Sequence, residues 1–225
     1  MARQPSFAGD KKVGSSILSA VETRFKLWAV PKLPRWIETH HLTFLTGLWS
    51  AVNVAVGLTV KTDLRWLWIV SLMIGLQYVT DLFDGELGRQ RNTGLVKWGF
   101  YMDHFLDYVF LCSLAFVGYM LSPADLAVWY FALLAISGAY MVNSFLSFAA
   151  TNEFTITQYG IGPTEVRIIF IAINTFIIYW GTSYFEIILP CVTAVCAAGV
   201  AVNTVAIHRQ LWRLDMANKA REEKR

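Results

Sequence analysis

The sequence has little charge and little cysteine. Only 16% of its 225 residues are Asp, Glu, Lys or Arg, whereas a soluble domain usually carries about a quarter. The three cysteines, Cys112, Cys191 and Cys196, form no C-x-x-C pair and lie inside apolar stretches. Cysteine in such a setting behaves as a small apolar residue. The sequence therefore argues against both a disulfide framework and a zinc site.

The sequence is rich in long runs of apolar residues. Hydrophobic residues make up 56% of the chain, and they occur in runs of about 18–25, which is the length needed to cross a bilayer. This run length argues against a single large soluble core. No secretory signal precedes the first run, so we expect it to be a true span. Six spans are predicted: Leu42–Val60, Leu64–Leu82, Trp98–Met120, Ala124–Ala149, Val166–Trp180 and Phe185–Ile207.

The basic residues predict the orientation of these spans. Seventeen of the 19 lysines and arginines fall on one side of the predicted layout, and only Lys61 and Arg65 fall on the other. Because loops rich in Lys and Arg stay in the cytoplasm, both termini are predicted to be cytoplasmic. No basic groove with interleaved aromatic residues is present, so nucleic acid is not an expected partner.

The predicted fold class is all-α: an integral membrane protein with six transmembrane helices. Residues 1–35 are predicted to form a cytoplasmic segment, 36–208 the membrane domain and 209–225 a cytoplasmic tail that forms a short polar helix. Apolar residues recur at helical spacing between Ser16 and Val30, with charged residues between them. This pattern predicts an amphipathic helix at the membrane interface, and the alternative is a solvated helix that packs on the protein.

Four aspartates lie near the ends of two consecutive spans. Asp81 and Asp84 end the second span, and Asp103 and Asp107 lie in the first turns of the third. Spacings of three and four residues place both members of each pair on one helix face. Ionisable residues in a span are costly and are usually functional. The alternative is that these residues cap helix ends and face water.

A cluster of four carboxylates needs positive charge nearby, because like charges repel strongly at low dielectric. Arg89, Arg91 and Lys97 are available, but all three lie in the loop. Hard divalent cations fit carboxylate oxygens better, and Mg²⁺ or Mn²⁺ also suits phosphate. Two such ions can hold a diphosphate for in-line displacement, so two divalent cations are the predicted cofactors.

The stretch from Asp81 to Arg89 reads D-x-x-D-G-x-x-G-R, and Gly99 to Asp107 reads G-x-x-x-D-x-x-x-D. Together with the six-span layout, these residues resemble the signature of the CDP-alcohol phosphotransferase (CDP-alcohol phosphatidyltransferase) family. The resemblance covers roughly residues 35–207. Gly88 stands where the family usually has alanine, and the spacer of nine residues is one longer than usual. Of a Pro-Asn-x-Leu-Thr element entering the first span, only Leu42 and Thr43 are present.

The resemblance implies roles for these residues in transferring a phosphoalcohol group from a CDP-linked donor to a hydroxyl acceptor, with release of CMP. Asp107 would be both metal ligand and general base. The other implied positions are metal ligands Asp81, Asp84 and Asp103, and nucleotide or diphosphate contacts Thr43, Gly85, Gly88, Arg89 and Gly99. The implied partners are a CDP-linked lipid or CDP-aminoalcohol, an alcohol or diacylglycerol acceptor, membrane lipids and a second copy of the chain as a homodimer.

Three further residues are candidates for the acceptor or headgroup. The stretch Gly162–Arg167 resembles a Thr-Glu-Val element of aminoalcohol phosphotransferases, so Glu165 would meet a cationic headgroup and Arg167 an anionic one. Alternatively, Thr164 caps the helix with Glu165 in its first turn. Asn143 is a polar candidate for the same cavity, or it bonds a neighbouring helix.

Two other functions are compatible with an acidic cluster in a membrane. A divalent-cation channel or transporter would place carboxylates near the bilayer midplane, with a polar path to the far side. A prenyltransferase would need aspartate-rich clusters on separated helices. The cluster here is compact and lies on one side, which favours the transferase.

Overall fold

The computed structural model describes residues 12–13, 19–93, 95–152, 154–155 and 162–223. Within these ranges the chain is almost entirely helical. A two-residue strand, β1, pairs in parallel with another, β2. The elements in chain order are β1 (Lys12–Val13), α1 (Ser19–Ala29), α2 (Thr39–Thr59), α3 (Leu67–Arg91), α4 (Val96–Leu121), α5 (Ala127–Thr151), β2 (Phe154–Thr155), α6 (Pro163–Trp180) and α7 (Phe185–Glu222).

The helix boundaries follow from local chemistry. The backbone N–H of Glu38 donates to His41 Nδ1 at 3.0 Å, which closes a reciprocal cap at the start of α2. Asn92 and Asn152 end α3 and α5 in the left-handed conformation, with φ of 50° and 59°. Asparagine tolerates this conformation better than most residues. Gly181 ends α6 with φ of 74°, where a side chain would be strained.

The transmembrane helices form two groups. α2, α3 and α4 are the inner group: α2 packs along both of the others. α5, α6 and α7 are the outer group: α6 packs on α3, and α5 lies between α4 and α7. The main apolar core lies within the inner group and where the outer helices meet it, and it includes Val56, Val60, Leu67, Val70, Ile74, Phe110, Val117, Ile177 and Leu189.

The six predicted spans are confirmed as six long apolar helices, α2 to α7, and the protein is an all-α integral membrane protein. Large apolar side chains such as Phe131, Ile187 and Val195 are more than 70% exposed on the outer helices, as is fitting for a surface that faces lipid. The C-terminal end of the last helix differs from the prediction. The helix predicted to leave the membrane near Ile207 continues unbroken to Glu222.

α1 lies against the end of α3. The Phe25 ring packs at a tilt of 39° against the Phe83 ring, with centroids 5.5 Å apart, and Lys26 Nζ lies 3.8 Å from the Glu86 carboxylate. Trp28 on the same helix remains 63% exposed. α1 thus combines contacts with the protein on one side with exposed apolar surface on another, and its location at the membrane interface stays a prediction.

Candidate active site

Three of the four aspartates converge. Asp81 from α3 and both Asp103 and Asp107 from α4 each offer a carboxylate oxygen, and these three oxygens lie within 4.8 Å of one another. All three side chains are half-buried. The spacing of four residues places Asp103 and Asp107 on one face of α4, as helix geometry requires. The two helices therefore share one acidic cluster.

Asp84 lies outside this group of three and makes a different contact. It is only 7% exposed, and its carboxylate accepts a hydrogen bond of 2.5 Å from the Thr43 hydroxyl on α2. A bond to an ionised acceptor is stronger than one between neutral groups. Thr43, predicted as a nucleotide contact, here orients the carboxylate of Asp84.

The basic partner of the cluster comes from α6. Arg167 Nη2 donates to Asp81 Oδ2 at 2.7 Å, and the two side chains are only 15% and 26% exposed. Arg167 is also within electrostatic reach of Asp103 and Asp107. Sequence reasoning weighed the three loop cations as partners and assigned Arg167 to a headgroup. The structure instead places Arg167 on the carboxylates, because α6 packs on α3.

Gln77 is a site residue that sequence reasoning missed. Its side-chain Nε2 donates to Asp107 Oδ1 at 2.8 Å, and the residue is 1% exposed. A buried amide of this kind fixes the direction of the carboxylate it holds. The signal was present in the sequence, because Gln77 lies four residues before Asp81 and thus on the same face of α3.

The three glycines of the motif have different surroundings. A Cβ on Gly99 would meet nothing within 4 Å, so this face of α4 is open to an approaching group. A Cβ on Gly85 would meet only the Arg89 guanidinium, at 3.6 Å. A Cβ on Gly88 would lie 3.2 Å from Thr39 Cγ2, so this glycine allows close packing of α3 on α2.

Arg89, predicted to pair with the diphosphate, pairs here with a neighbouring carboxylate. Its Nη2 donates to Glu86 Oε2 at 2.9 Å, and its side chain is 64% exposed. The Glu86 side chain is only 10% exposed and also contacts Lys26 and Gln90. Arg89 is therefore the solvent-facing member of the pair, and Glu86 keeps other partners if the guanidinium moves.

The remaining candidates make structural contacts. Asn143 Nδ2 donates to Thr204 Oγ1 at 3.1 Å, which links α5 to α7. Glu165 accepts from the backbone N–H of Gly162 at 2.8 Å and caps α6. The cap residue is Gly162, one position before Pro163, whereas the sequence suggested Thr164. The capping interpretation of Glu165 thus has direct geometric support.

The donors at the cluster fit a hard divalent cation. Every candidate ligand among Asp81, Asp103 and Asp107 is a carboxylate oxygen, and these oxygens are close enough together to bind one ion. Among the described residues, Arg167 bonds the cluster through Asp81. Asp84 would complete a larger ligand set if its carboxylate turned away from Thr43.

These features define a class: a multi-pass helical membrane protein with a candidate cation site, made only of carboxylate oxygens, between two consecutive spans. Comparison with family models matches residues 38–205 to CDP-alcohol phosphatidyltransferase. The chain belongs to this family. A search of the curated proteins finds no significant match. Family membership places the chain among the transferases and indicates phosphoalcohol transfer from a CDP-alcohol in phospholipid synthesis.

Proposed function

We propose that this chain transfers a phosphoalcohol group from a CDP-linked donor to a hydroxyl acceptor at the cluster of Asp81, Asp103 and Asp107, releasing CMP. The observation that carries the proposal is the convergence of these carboxylates from α3 and α4. The matched family covers both helices. Two features outside this cluster also support the proposal. The face of α4 at Gly99 leaves room for a substrate, and the exposed guanidinium of Arg89 can meet an anionic one.

The proposed chemistry assigns each side chain a task. Bound Mg²⁺ or Mn²⁺, two ions with Asp84 included, would neutralise charge on the diphosphate. Asp107, held by Gln77, takes the proton from the acceptor hydroxyl. The acceptor oxygen then forms a bond to the phosphorus distal to cytidine. The bond from that phosphorus to the bridging oxygen breaks, and CMP leaves with the electron pair.

We propose that the positive groups near the cluster bind the anionic parts of the substrates. Arg89 moves from Glu86 to the diphosphate, because its guanidinium is largely exposed and Glu86 keeps Lys26 and Gln90 as partners. Gly85 lets the nucleotide approach the backbone beside Arg89, since only that guanidinium lies near its missing side chain. Arg167, which bonds Asp81, contacts an anionic headgroup when cations occupy the cluster.

Product identification tests the reaction. Purified protein is supplied either with CDP-diacylglycerol and a panel of small alcohols or with CDP-choline and diacylglycerol, with and without EDTA. We expect CMP release and one new phospholipid by mass spectrometry, both lost with the chelator. Metal flux across vesicles without CMP release from any donor would support the channel and exclude the transferase.

We propose that the site opens to the cytoplasm. The cluster lies at the α3–α4 end of the bundle, where basic residues are concentrated. The test uses a background in which the three cysteines are replaced by serine. Lys97→Cys should react with an impermeant thiol reagent only after the membrane is opened, whereas Lys61→Cys should react in intact cells. The reverse pattern would invert the topology. The homodimer stays a prediction from the family resemblance, and native mass spectrometry tests it.

A further inference from the structure

Glu22 of α1 links three helices through a single carboxylate oxygen. Its Oε1 accepts from the Thr164 hydroxyl of α6 at 2.6 Å and from the Tyr78 hydroxyl of α3 at 3.2 Å. Neither the metal cluster nor the proposed transfer step uses Glu22. The first turn of α6 is thus bonded to a segment that precedes the membrane domain.

The two hydroxyl donors are placed beside the ion pair of the site. Tyr78 precedes Asp81 by three residues on α3, and Thr164 precedes Arg167 by three residues on α6. Residues three apart lie on one helix face. The Arg167 guanidinium also lies 5.6 Å from the centroid of the Tyr78 ring, within the range of a cation–π contact. Two neighbouring links therefore join α3 to α6: one runs from Tyr78 through Glu22 to Thr164, and the other is the direct bond between Asp81 and Arg167.

Other contacts hold α1 against α3 in the position from which Glu22 reaches Tyr78 and Thr164. Phe25 and Lys26 lie three and four residues after Glu22, on the same face of α1. They contact Phe83 and Glu86, respectively, further along α3. At the end of α3, Arg91 donates to the carbonyl oxygens of the linker that joins α1 to α2, at Leu33, Pro34, Arg35 and Ile37. Glu22 is thus held by packing and not by its own bonds alone.

We propose that Glu22 is a positioning residue: by holding Tyr78 and Thr164 it fixes the first turn of α6, and so keeps Arg167 in place beside Asp81. The inference rests on the proposed function for its catalytic consequence, but the link between α1 and α6 is independent of it. Removing Glu22 loosens the start of α6 against α3, so that Asp81 and Arg167 lose the placement from which they would bind the cation and the headgroup. Since small misplacements at a reacting centre reduce rates by roughly tenfold to hundredfold, kcat should fall by about tenfold.

The experiment compares Glu22→Ala, Thr164→Val and the double variant in the full-length protein. Amide hydrogen exchange at residues 166–170 of α6, the first amides with helical partners, is measured without substrate, and kcat and KM are measured for CMP release. Glu22→Gln is the rescue variant, because its amide oxygen still accepts from both hydroxyls. Arg24→Ala is the matched control, since Arg24 is an exposed neighbour on the same helix.

We expect faster exchange at the start of α6 and a lower kcat, with donor KM changed less than about twofold because Glu22 contacts no substrate. The double variant should be no worse than Glu22→Ala, since both remove the same interaction. Glu22→Gln and Arg24→Ala should resemble the wild type. Unchanged exchange in Glu22→Ala would overturn the link, and faster exchange with unchanged kcat would overturn its positioning role.

The same measurements separate this inference from the proposed function. If the wild type released no CMP from any donor, the transferase would fail while hydrogen exchange still reported on the Glu22 link. If the wild type were active and Glu22→Ala had normal exchange and kcat, only the inference on Glu22 would fail.

Discussion

The inner and outer groups of helices differ in what surrounds them. In the most apolar stretches of α2, α3 and α4, 39%, 44% and 22% of residues are buried, against 0%, 6% and 17% in α5, α6 and α7. The inner helices therefore depend on one another, whereas the outer helices present most of their surface to lipid or to another chain. Side chains of the inner group are therefore the ones that packing holds in fixed positions.

Polar chemistry follows the same division. The fully buried polar residues Asn53 and Gln77 lie on α2 and α3, and the three clustered aspartates lie on α3 and α4. The outer group contributes to the site through the N-terminal end of α6, where Arg167 lies in the second turn. Substitutions that act on chemistry should therefore be confined to the inner helices and this end of α6, and four comparisons of variants test that division.

Asp107→Asn is expected to have the largest effect. The amide cannot accept the acceptor's proton and is a poorer cation ligand, so kcat for CMP release should fall by about a thousandfold, within the usual range for general-base loss. Asp125→Asn, at an exposed position before α5, is the matched control and should be near wild type. Retention of more than a tenth of the activity would remove Asp107 from the proposed mechanism.

Gln77→Leu should have the next largest effect. It keeps the side-chain volume but removes the donor to Asp107, and loss of such a supporting bond typically costs about 10–100-fold in metal affinity or activity. Mn²⁺ titration followed by electron paramagnetic resonance measures the affinity directly. Asn53→Leu removes a buried amide that bonds Ser113, between α2 and α4. Equal loss of Mn²⁺ affinity in both variants would mean that Gln77 acts only through stability.

Substitutions at two glycines test whether the inner group of helices is more tightly packed than the outer group. A Cβ on Gly57 would lie 2.9 Å from the Phe116 ring, whereas a Cβ on Gly199 of α7 would meet nothing within 4 Å. Gly57→Ala should cost about 1–3 kcal/mol from overpacking, and each kcal/mol lowers the Tm by about 2–4 °C at this size. Gly199→Ala should leave the Tm equal or higher. A comparable loss at Gly199 in detergent would show that another chain covers α7.

Asn143→Ala should have the smallest effect. It removes one bond between two outer helices, α5 and α7, and such bonds average about 0.6 kcal/mol in membrane proteins. Thermal unfolding should shift by only a degree or two, and kcat should stay within about twofold. A tenfold loss of CMP release would instead place Asn143 at the acceptor and break the division between the groups.

The sequence predicted the six spans because span length is set by the bilayer, and apolar runs report it directly. It predicted a short polar helix in the tail, but not that this helix continues α7 without a break to Glu222. Hydropathy falls after Ile207, but no glycine or proline follows to end the helix. Polarity marks where a helix leaves lipid, and backbone chemistry decides where the helix stops.

The site was predictable to the level of helix faces. Spacing placed each aspartate pair on one face, but a face is wide enough for Asp81 to reach the α4 cluster while Asp84 turns to Thr43 of α2. The pairing of Arg167 with Asp81 depends on α6 packing against α3. The neighbours of a helix are not encoded in its own periodicity, which is why the basic partner was sought in the adjacent loop.

The length of α7 has a mechanical consequence. Its 38 residues extend about 57 Å at about 1.5 Å per residue, and the hydrocarbon core of a bilayer takes up about 30 Å of that. The remainder stands out of the membrane as a stiff rod, with Arg209 and Arg213 one turn apart along it. Because the rod is stiff, the distance of a fluorophore near Glu222 from the lipid surface would depend on the tilt of α7 in the membrane and would therefore measure that tilt.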